Sequence, residues 1–582
     1  MPCIARQHMF HTIQLSRPIQ AALLLVLVLA AYQPSLHNGF IWDDDAYVTH
    51  NLTLEGTKGL KRIWAVRGAT VQYYPMVFTS FWVEYQLFGL EPGVFHLTNM
   101  TLHGINAILV WLILTRLGLP WAWLAAAVFA LHPVNVESVA WISERKNVLS
   151  GLFAFWSLLI LIRLYLPGTA ETEERSTPPA KTRFILYVTA LFLFILALLS
   201  KSVTCVLPVV FLILAWWKQK KVSLKTIHGM IPFFAAGLAA GINTSWMENT
   251  LVGASGPEWD ISIVERVLIA GRALWFYAYK LIWPAESIFF YPQWEINASA
   301  WWQYLFPLAV LLLFAVLFTT RHRIGKGPVT GTAVFTAVLL PALGFINYYP
   351  MRYSFVADHF QYLAAIALIA LAVTGVYRLV AKGRKRFTQG LALGLCVGLL
   401  FILSMRTWQE QAKYRNLQTL WHDCLDKDPL CWVVHNNLGV LLAAQGDEDV
   451  AGDHFKTAFS IKPDYLDAAN NLIAYHRKKG AYDKAIAVLE SLLSVAPHSR
   501  TTIYYNLACL YALKGDVDTS LVFLQKSVDR GFNLLSLLEK DKDLENIRQA
   551  DGYRLIVEKI RMKQSAACNR VSLLQALIKA YA

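Results

Sequence analysis

Charged side chains are scarce in this 582-residue chain: Asp, Glu, Lys and Arg together make up 16%. A soluble multidomain protein of this length needs more to cover its surface. The apolar share is 56% and the mean hydropathy is +0.41, which points to a chain that crosses a bilayer several times. The 7 cysteines are scattered, with no Cys-x-x-Cys pair and no zinc-site spacing, so a cysteine-built metal or redox centre is excluded. Cys424 and Cys431 are the one pair whose spacing lets them meet on a helical face, and hence the one candidate disulfide. No low-complexity Lys/Arg tract is present. The net charge of +14 sits mostly in short loops between apolar runs, which argues for membrane orientation and against nucleic acid as a partner. No nucleotide-sugar-binding pattern is visible.

What the chain does have is about 11 apolar runs of spanning length. They fall near 18–34, 97–117, 121–140, 147–166, 183–200, 203–217, 226–244, 304–320, 331–349, 358–378 and 389–405. The first follows Arg6 and Arg17 and lacks a good cleavage site, so it reads as an uncleaved anchor. The run 262–283 carries Glu265, Arg266, Arg272 and Lys280 and reads as partly inserted or interfacial. The stretch 74–90, with Glu84, reads as an amphipathic helix on the outer surface. Basic loops at Lys218–Lys221, Arg321–Lys326 and Lys382–Arg386, and around Arg175 to Arg183, fall on one side, the cytoplasm. The loop 35–96 and everything past 405 then lie outside.

Past Arg406 the chain turns polar and repeats itself. Gly446, Gly480 and Gly515 recur at spacings of 34 and 35, and Pro429, Pro463 and Pro497 are each 34 apart. Asn437-Leu438, Asn471-Leu472 and Asn506-Leu507 keep the same step. This is the tetratricopeptide pattern, a stack of helix pairs. The expected architecture is all-α: a membrane helical bundle over 1–405, then a helical-repeat domain over 406–582 with about three repeats across 430–531 and a C-terminal cap.

Chemistry-bearing residues gather in the outer loops. Asp43, Asp44 and Asp45 follow the first span, and a carboxylate there suits a general base for a hydroxyl acceptor. Their bland reading is a solvated loop held by Asx-turns. His132-Pro133 through Glu137 to Arg145 and Lys146 places ionisable groups in the outer leaflet, where they are functional hypotheses by default. Arg145 and Lys146 suit a phosphate, as a fork and a point charge; the alternative is lipid headgroups or a pair with Glu144. Lys201 is a snorkelling residue or a further phosphate contact. Arg352 and His359 can hold an anion, with Asp358 orienting His359. No metal ligand set stands out, although the acidic triplet has the chemistry to hold Mg²⁺ or Mn²⁺; no cofactor is required by this reading.

At these residues the chain resembles the transmembrane and tetratricopeptide-repeat O-mannosyltransferases, within the GT-C class of polyprenyl-phosphate-dependent glycosyltransferases. The matching segments are Trp42-Asp43-Asp44-Asp45 with Asn51, His132-Pro-Val-Asn-Val-Glu137 through Arg145, Ser200-Lys201-Ser202 and Val356 to Tyr362. The order of parts also matches, so the resemblance covers nearly the whole chain. It implies a GT-C bundle whose first outer loop is the catalytic centre, with Asp43 and Asp44 matching the paired acids, and Glu137 and Arg145 matching further positions of the pattern. The chain departs in carrying about three repeats where animal members carry many more, and Asp358-His359 where they favour an acidic-Arg pair; it looks like a bacterial member, in an inner membrane with its repeats in the periplasm. The implied activity is inverting transfer of a sugar, mannose among the candidates, from a polyprenyl-phosphate donor to a hydroxyl acceptor, a protein. Two other readings stand beside it. One is a non-catalytic repeat scaffold anchored in the membrane. The other is a transporter of lipid-linked sugars, which paired half-repeats would favour; none are visible.

Overall fold

The computed structural model describes residues 16–166, 179–382 and 386–564. Arg6, Arg175 and residues 383–385, which carry part of the orientation argument, lie outside the described residues, as does the cap beyond residue 564. The chain divides into two compact units, Met1–Asp423 and Cys424–Ala582.

The first unit is built from α1 (Arg17–Ala31), α2 (Gly56–Ala65), α3 (Pro75–Phe88), α4 (Pro92–Arg116), α5 (Ala122–Leu131), α6 (Val136–Ala140), α7 (Arg145–Tyr165), α8 (Ala180–Leu198), α9 (Leu207–Lys218), α10 (Leu224–Gly229), α11 (Ile231–Met247), α12 (Ile263–Ile282), α13 (Leu305–Ile324), α14 (Gly327–Leu339), α15 (Ala365–Lys382) and α16 (Arg386–Glu410). Proline in the first turn starts α3, α4, α9, α11 and α14, where its missing N–H costs nothing. Among the described residues, six helical segments are long and apolar enough to cross a membrane, and a seventh forms if the pair Ala122–Leu131 and Pro133–Ala140, bent by 56°, counts as one. The remaining predicted runs fall on shorter apolar helices, because α1, α9, α14 and α15 are cut by 3-10 turns at one end. On α13 no residue is buried, and Leu308, Leu311 and Leu312 stand more than half exposed. A helix apolar on every side is a lipid-facing helix. The protein is a multi-pass, all-helical membrane protein.

At α5 the kink expected from Pro133 is a full break. His132 leaves the helix, its Nδ1 accepts from the Val134 N–H at 3.4 Å, and α6 restarts in a new direction. In α12, a capping box joins Ser262 and Glu265, and Arg266 is bound by the carbonyls of Trp259 and Ile261 and by Asn347. The charges of this segment are therefore satisfied by protein.

Residues 406–415, expected in the soluble domain, belong to the first unit. Gln411 accepts from the Ser35 hydroxyl at 2.6 Å and donates to the Ala31 carbonyl at 2.8 Å. The Gly39 N–H donates to the Arg415 carbonyl at 2.9 Å. Polar composition misplaced the boundary because these polar groups are spent inside.

The second unit holds α18 (Trp432–Gln445) with α19 (Glu448–Ile461), α20 (Leu466–Lys478) with α21 (Tyr482–Val495), and α22 (Arg500–Lys514) with α23 (Val517–Asp529); α17 (Leu417–Lys427) runs across the division. Gly446, Gly480 and Gly515 turn each pair at φ of 95°, 71° and 88°, a region costly for any other residue. Small residues bring the helices close: an added Cβ at Gly452 would lie 2.4 Å from the Tyr475 ring. Cys431 is a free thiol, so the disulfide suggested by its spacing to Cys424 is not formed.

Candidate active site

The site is assembled where the first loop, the start of α7 and the segments around Lys201 and His359 meet. Trp42 turns the loop with φ of 46°, so that the two acids after it diverge. Asp44 is fully buried: one carboxylate oxygen accepts from the Ile41 N–H at 2.9 Å, the other from the Ser143 N–H at 2.8 Å. It pins the loop to the turn that opens α7. Burial pushes its carboxyl up to about 7 against the pull of these two N–H groups. Asp43 is half-buried, and its carboxylate makes no hydrogen bond to a described residue. Burial also raises its pKa, with Lys146 and His359 pulling down and Glu144 pushing up. Asp45 is exposed and bonds Thr49 at 3.0 Å.

Successive helical positions point about 100° apart, and the start of α7 exploits this. Glu144 is fully buried and gathers two ammonium groups and an imidazole: Lys146 at 2.7 Å, Lys201 at 3.4 Å and the His359 ring at 3.7 Å. Asn147 completes the hub by accepting from Lys201 at 2.7 Å and donating to Glu144 at 2.6 Å. Each ammonium has three donors, so both lysines keep at least one free. Burial pushes Lys201 down to about 8 despite Glu144. The buried Trp141 indole N–H, beside the His359 ring, has no partner among the described residues.

Arg145, one residue before Lys146, faces the other way. It is fully buried, pairs with Glu84 of α3, and donates to Asn99 at 2.8 Å, to the Phe95 carbonyl at 2.8 Å and to Ser80 at 3.3 Å. Its guanidinium lies 4.4 Å from the Phe81 ring centre. These partners take four of its five N–H donors, so Arg145 stands apart from the Glu144 hub, and Glu84 lies inside the protein instead of on an outer surface. His132 is likewise structural, its Nε2 3.1 Å from the Leu281 carbonyl.

Glu137, not Asp358, orients His359. Its two oxygens take the His359 N–H at 2.9 Å and the ring Nδ1 at 3.0 Å. Neighbours on a tight turn point apart, and Asp358 is held by Ser287 and, at 2.9 Å, by the Tyr291 hydroxyl. Arg352 pairs with Glu258 at 3.2 Å among Trp259, Tyr349 and Tyr353, outside the Glu144 hub. The structure thus brings together Asp43, Glu137, Lys146, Lys201 and His359 from positions far apart in sequence. It separates Arg145, His132, Arg352 and Asp358 from them. Asn147 and Trp141 were not singled out from sequence, although a polar Asn one turn into an apolar run is a signal that was there. No group of three His, Cys, Asp or Glu suited to a metal gathers among the described residues.

A polytopic helical bundle with a buried carboxylate–lysine centre at one end is the class that fold and site define. The chain is similar to protein O-mannosyl-transferases, as its motifs implied. It is 23% identical to the human protein O-mannosyl-transferase TMTC4 over 486 residues, covering 73% of this chain and 64% of the relative. A Caenorhabditis elegans protein O-mannosyl-transferase is 21% identical, with 77% of this chain and 64% of the relative covered. The human TMTC3 is 28% identical over 30% of this chain and 20% of its own length. The chain therefore spans slightly less than two thirds of the curated relatives it matches most fully. No family model matches. Among solved structures, the Archaeoglobus fulgidus oligosaccharyltransferase in its apo form matches with a TM-score of 0.37 and 13% identity, over 68% of this chain and 56% of that one. ArnT from Cupriavidus metallidurans, bound to undecaprenyl phosphate, matches with a TM-score of 0.35 and 13% identity, over 82% and 80%.

Proposed function

We propose that the protein is a membrane glycosyltransferase that moves a sugar from a polyprenyl-phosphate donor to a hydroxyl of a protein acceptor, with Asp43 as general base. The reading rests on one observation above all: Asp43 is a half-buried carboxylate with no hydrogen bond to a described residue, within electrostatic reach of Lys146 and His359. Asp43 takes the acceptor hydroxyl proton as the oxygen attacks the anomeric carbon. The bond from that carbon to the phosphate oxygen breaks, and the carrier phosphate leaves with the electron pair. Attack opposite the leaving group inverts the anomeric centre. Lys146, Lys201 and, when protonated, His359 stabilise the charge that develops on the phosphate, with Glu137 and Glu144 fixing where those cations stand. The Trp141 N–H is a further donor on the same wall. The names of the relatives support mannose as the sugar and protein as the acceptor. The helical repeats supply a surface for that acceptor or a partner, and the basic loops favour the extracytoplasmic face for the chemistry.

Asp44 serves as the residue that positions Asp43 through the Ile41 and Ser143 N–H groups. The test is turnover of a defined polyprenyl-phosphate mannose with a hydroxyl-bearing peptide by the purified full-length protein. Asp43→Asn is expected to lower turnover by about 10²-fold or more with thermal unfolding unchanged. Full turnover in Asp43→Asn would refute Asp43 as the base, and absence of turnover by the unaltered protein would reopen the scaffold reading.

A further inference from the structure

A second feature lies within the bundle, reaching from Thr204 and Leu363, close in sequence to Lys201 and His359, to Arg378 at the other end. Helices α4, α7, α9, α14 and α15 enclose a cavity of about 240 Å³. Its walls are apolar, as at Leu158, Val210 and Val334, and Arg378 is the one charged side chain on them. We propose that this cavity binds one acyl chain of an anionic membrane phospholipid, with the headgroup phosphate on Arg378 and the glycerol ester carbonyls on Thr330 and Thr374.

The wall chemistry rules out a sugar or a peptide, which need many polar partners, and it suits hydrocarbon. The polar exceptions are not scattered. Thr374 and Arg378 are one turn apart on one face of α15, and Thr330 lies on α14. The hydroxyls of Thr330 and Thr374 are buried and make no hydrogen bond to a described residue, although a helical threonine normally satisfies itself on the carbonyl one turn back. Thr330 is 3% exposed. An unsatisfied buried hydroxyl costs about 1–3 kcal/mol, so two on one cavity call for an acceptor inside it. Arg378 itself is exposed and makes no ion pair or hydrogen bond with a described residue.

The helix ends fix which end this is. Lys218 at the end of α9 donates to the Leu117 carbonyl at the end of α4, and Lys326 at the start of α14 donates to the Trp216 carbonyl at 2.9 Å. These ends and Arg378 lie together, while α7, α9 and α15 all begin next to Glu144, Lys201 and His359. A polyprenyl phosphate anchored at Lys201 would send methyl groups toward Thr374 and Arg378 and leave their donors unmet. It also carries no ester carbonyl. A diacyl phospholipid entering from the Arg378 end matches both features: an anion for the guanidinium, and acceptors one turn deeper for the hydroxyls.

Native mass spectrometry of the delipidated full-length protein tests this, with phosphatidylglycerol, phosphatidylcholine of the same chains and undecaprenyl phosphate added separately and in competition. One equivalent of phosphatidylglycerol is expected to bind about fivefold more tightly than phosphatidylcholine, whose phosphate makes the same hydrogen bonds but carries a choline ammonium that cancels its charge. Arg378→Ala, at an exposed position, should erase that preference. Thr374→Val, nearly isosteric, should weaken both phospholipids several-fold. Ala370→Phe, which fills the cavity, should abolish both. Equal binding of the two phospholipids, or a preference that survives Arg378→Ala, overturns the proposal. So does displacement of phosphatidylglycerol by undecaprenyl phosphate in an Arg378-dependent way, which would hand the cavity to the carrier.

Discussion

The Arg145–Glu84 pair decides between two accounts of the same arginine. If Arg145 serves the carrier phosphate, Glu84→Gln is a mild change far from the chemistry. If Arg145 is structural, Glu84→Gln strips a fully buried guanidinium of its counter-charge. The geometry favours the second, because Asn99, Phe95, Ser80 and Glu84 already take its donors. Removing one partner of a buried ion pair costs about 3–5 kcal/mol. Whole proteins of this kind are stable by only about 5–15 kcal/mol, so the loss is a large fraction of the total. Arg145→Ala should be as harmful, since it leaves the Glu84 carboxylate, Asn99 Oδ1 and the Phe95 carbonyl unmet at once. Removing both charges, as Glu84→Met with Arg145→Met, should recover part of the loss, because no unpaired charge remains. The assay is thermal unfolding of the detergent-purified full-length protein, wild type against the two single variants and the double. A Glu84→Gln protein that unfolds within about 1 kcal/mol of wild type would refute this reasoning, as would a double variant worse than both singles.

Three further outcomes follow from the same structure. The pH–rate profile should be bell-shaped. Its acid limb reflects Asp43, whose burial sets its pKa above the ordinary carboxylate range, so activity falls as pH drops through that raised value. Its alkaline limb reflects Lys201, whose charge is present below about 8 and lost above it, and Lys201→Arg should move that limb beyond about pH 10. An alkaline limb unmoved in Lys201→Arg contradicts the assignment. Asp44→Asn, by turning an amide N–H₂ against the Ile41 or Ser143 N–H, should cost about 1–3 kcal/mol in thermal unfolding, unlike Asp43→Asn. In the repeat unit, Gly452→Ala drives a methyl into the Tyr475 ring and should destabilise that unit by about 1–3 kcal/mol, read from the loss of helical circular dichroism on heating. An unchanged melting curve would mean that the ring moves aside freely.

Most of the apolar runs were legible because a bilayer allows few ways to cross it; the run 121–140 is broken at His132 and the run 331–349 leaves its helix at Leu339. The helix pairs past residue 430 were legible because glycine marks each turn. Side-chain direction was not. Arg145 and Lys146 are adjacent letters of one sign, and helical rotation alone sends one between α3 and α4 and the other to Glu144. Asp358 and His359 diverge in the same way, so their adjacency suggested a pairing that Glu137 makes instead. The domain boundary slipped from 423 to 405 because composition cannot tell a polar residue facing water from Gln411 or Lys413 facing protein.

Gln411 carries a consequence for biogenesis. The loop that presents Asp43 emerges from the ribosome early, yet Ser35 waits for a partner 376 residues downstream. Until that partner is made, the loop lacks the contacts that hold its entry from α1, and so long a closure is slow to form. A nascent chain arrested before residue 411 would hold every chemical group of the centre and still lack the bonds that tie Gln411 to Ser35 and Ala31. The entry to the first loop is thus completed only when the bundle has been threaded to its last helix.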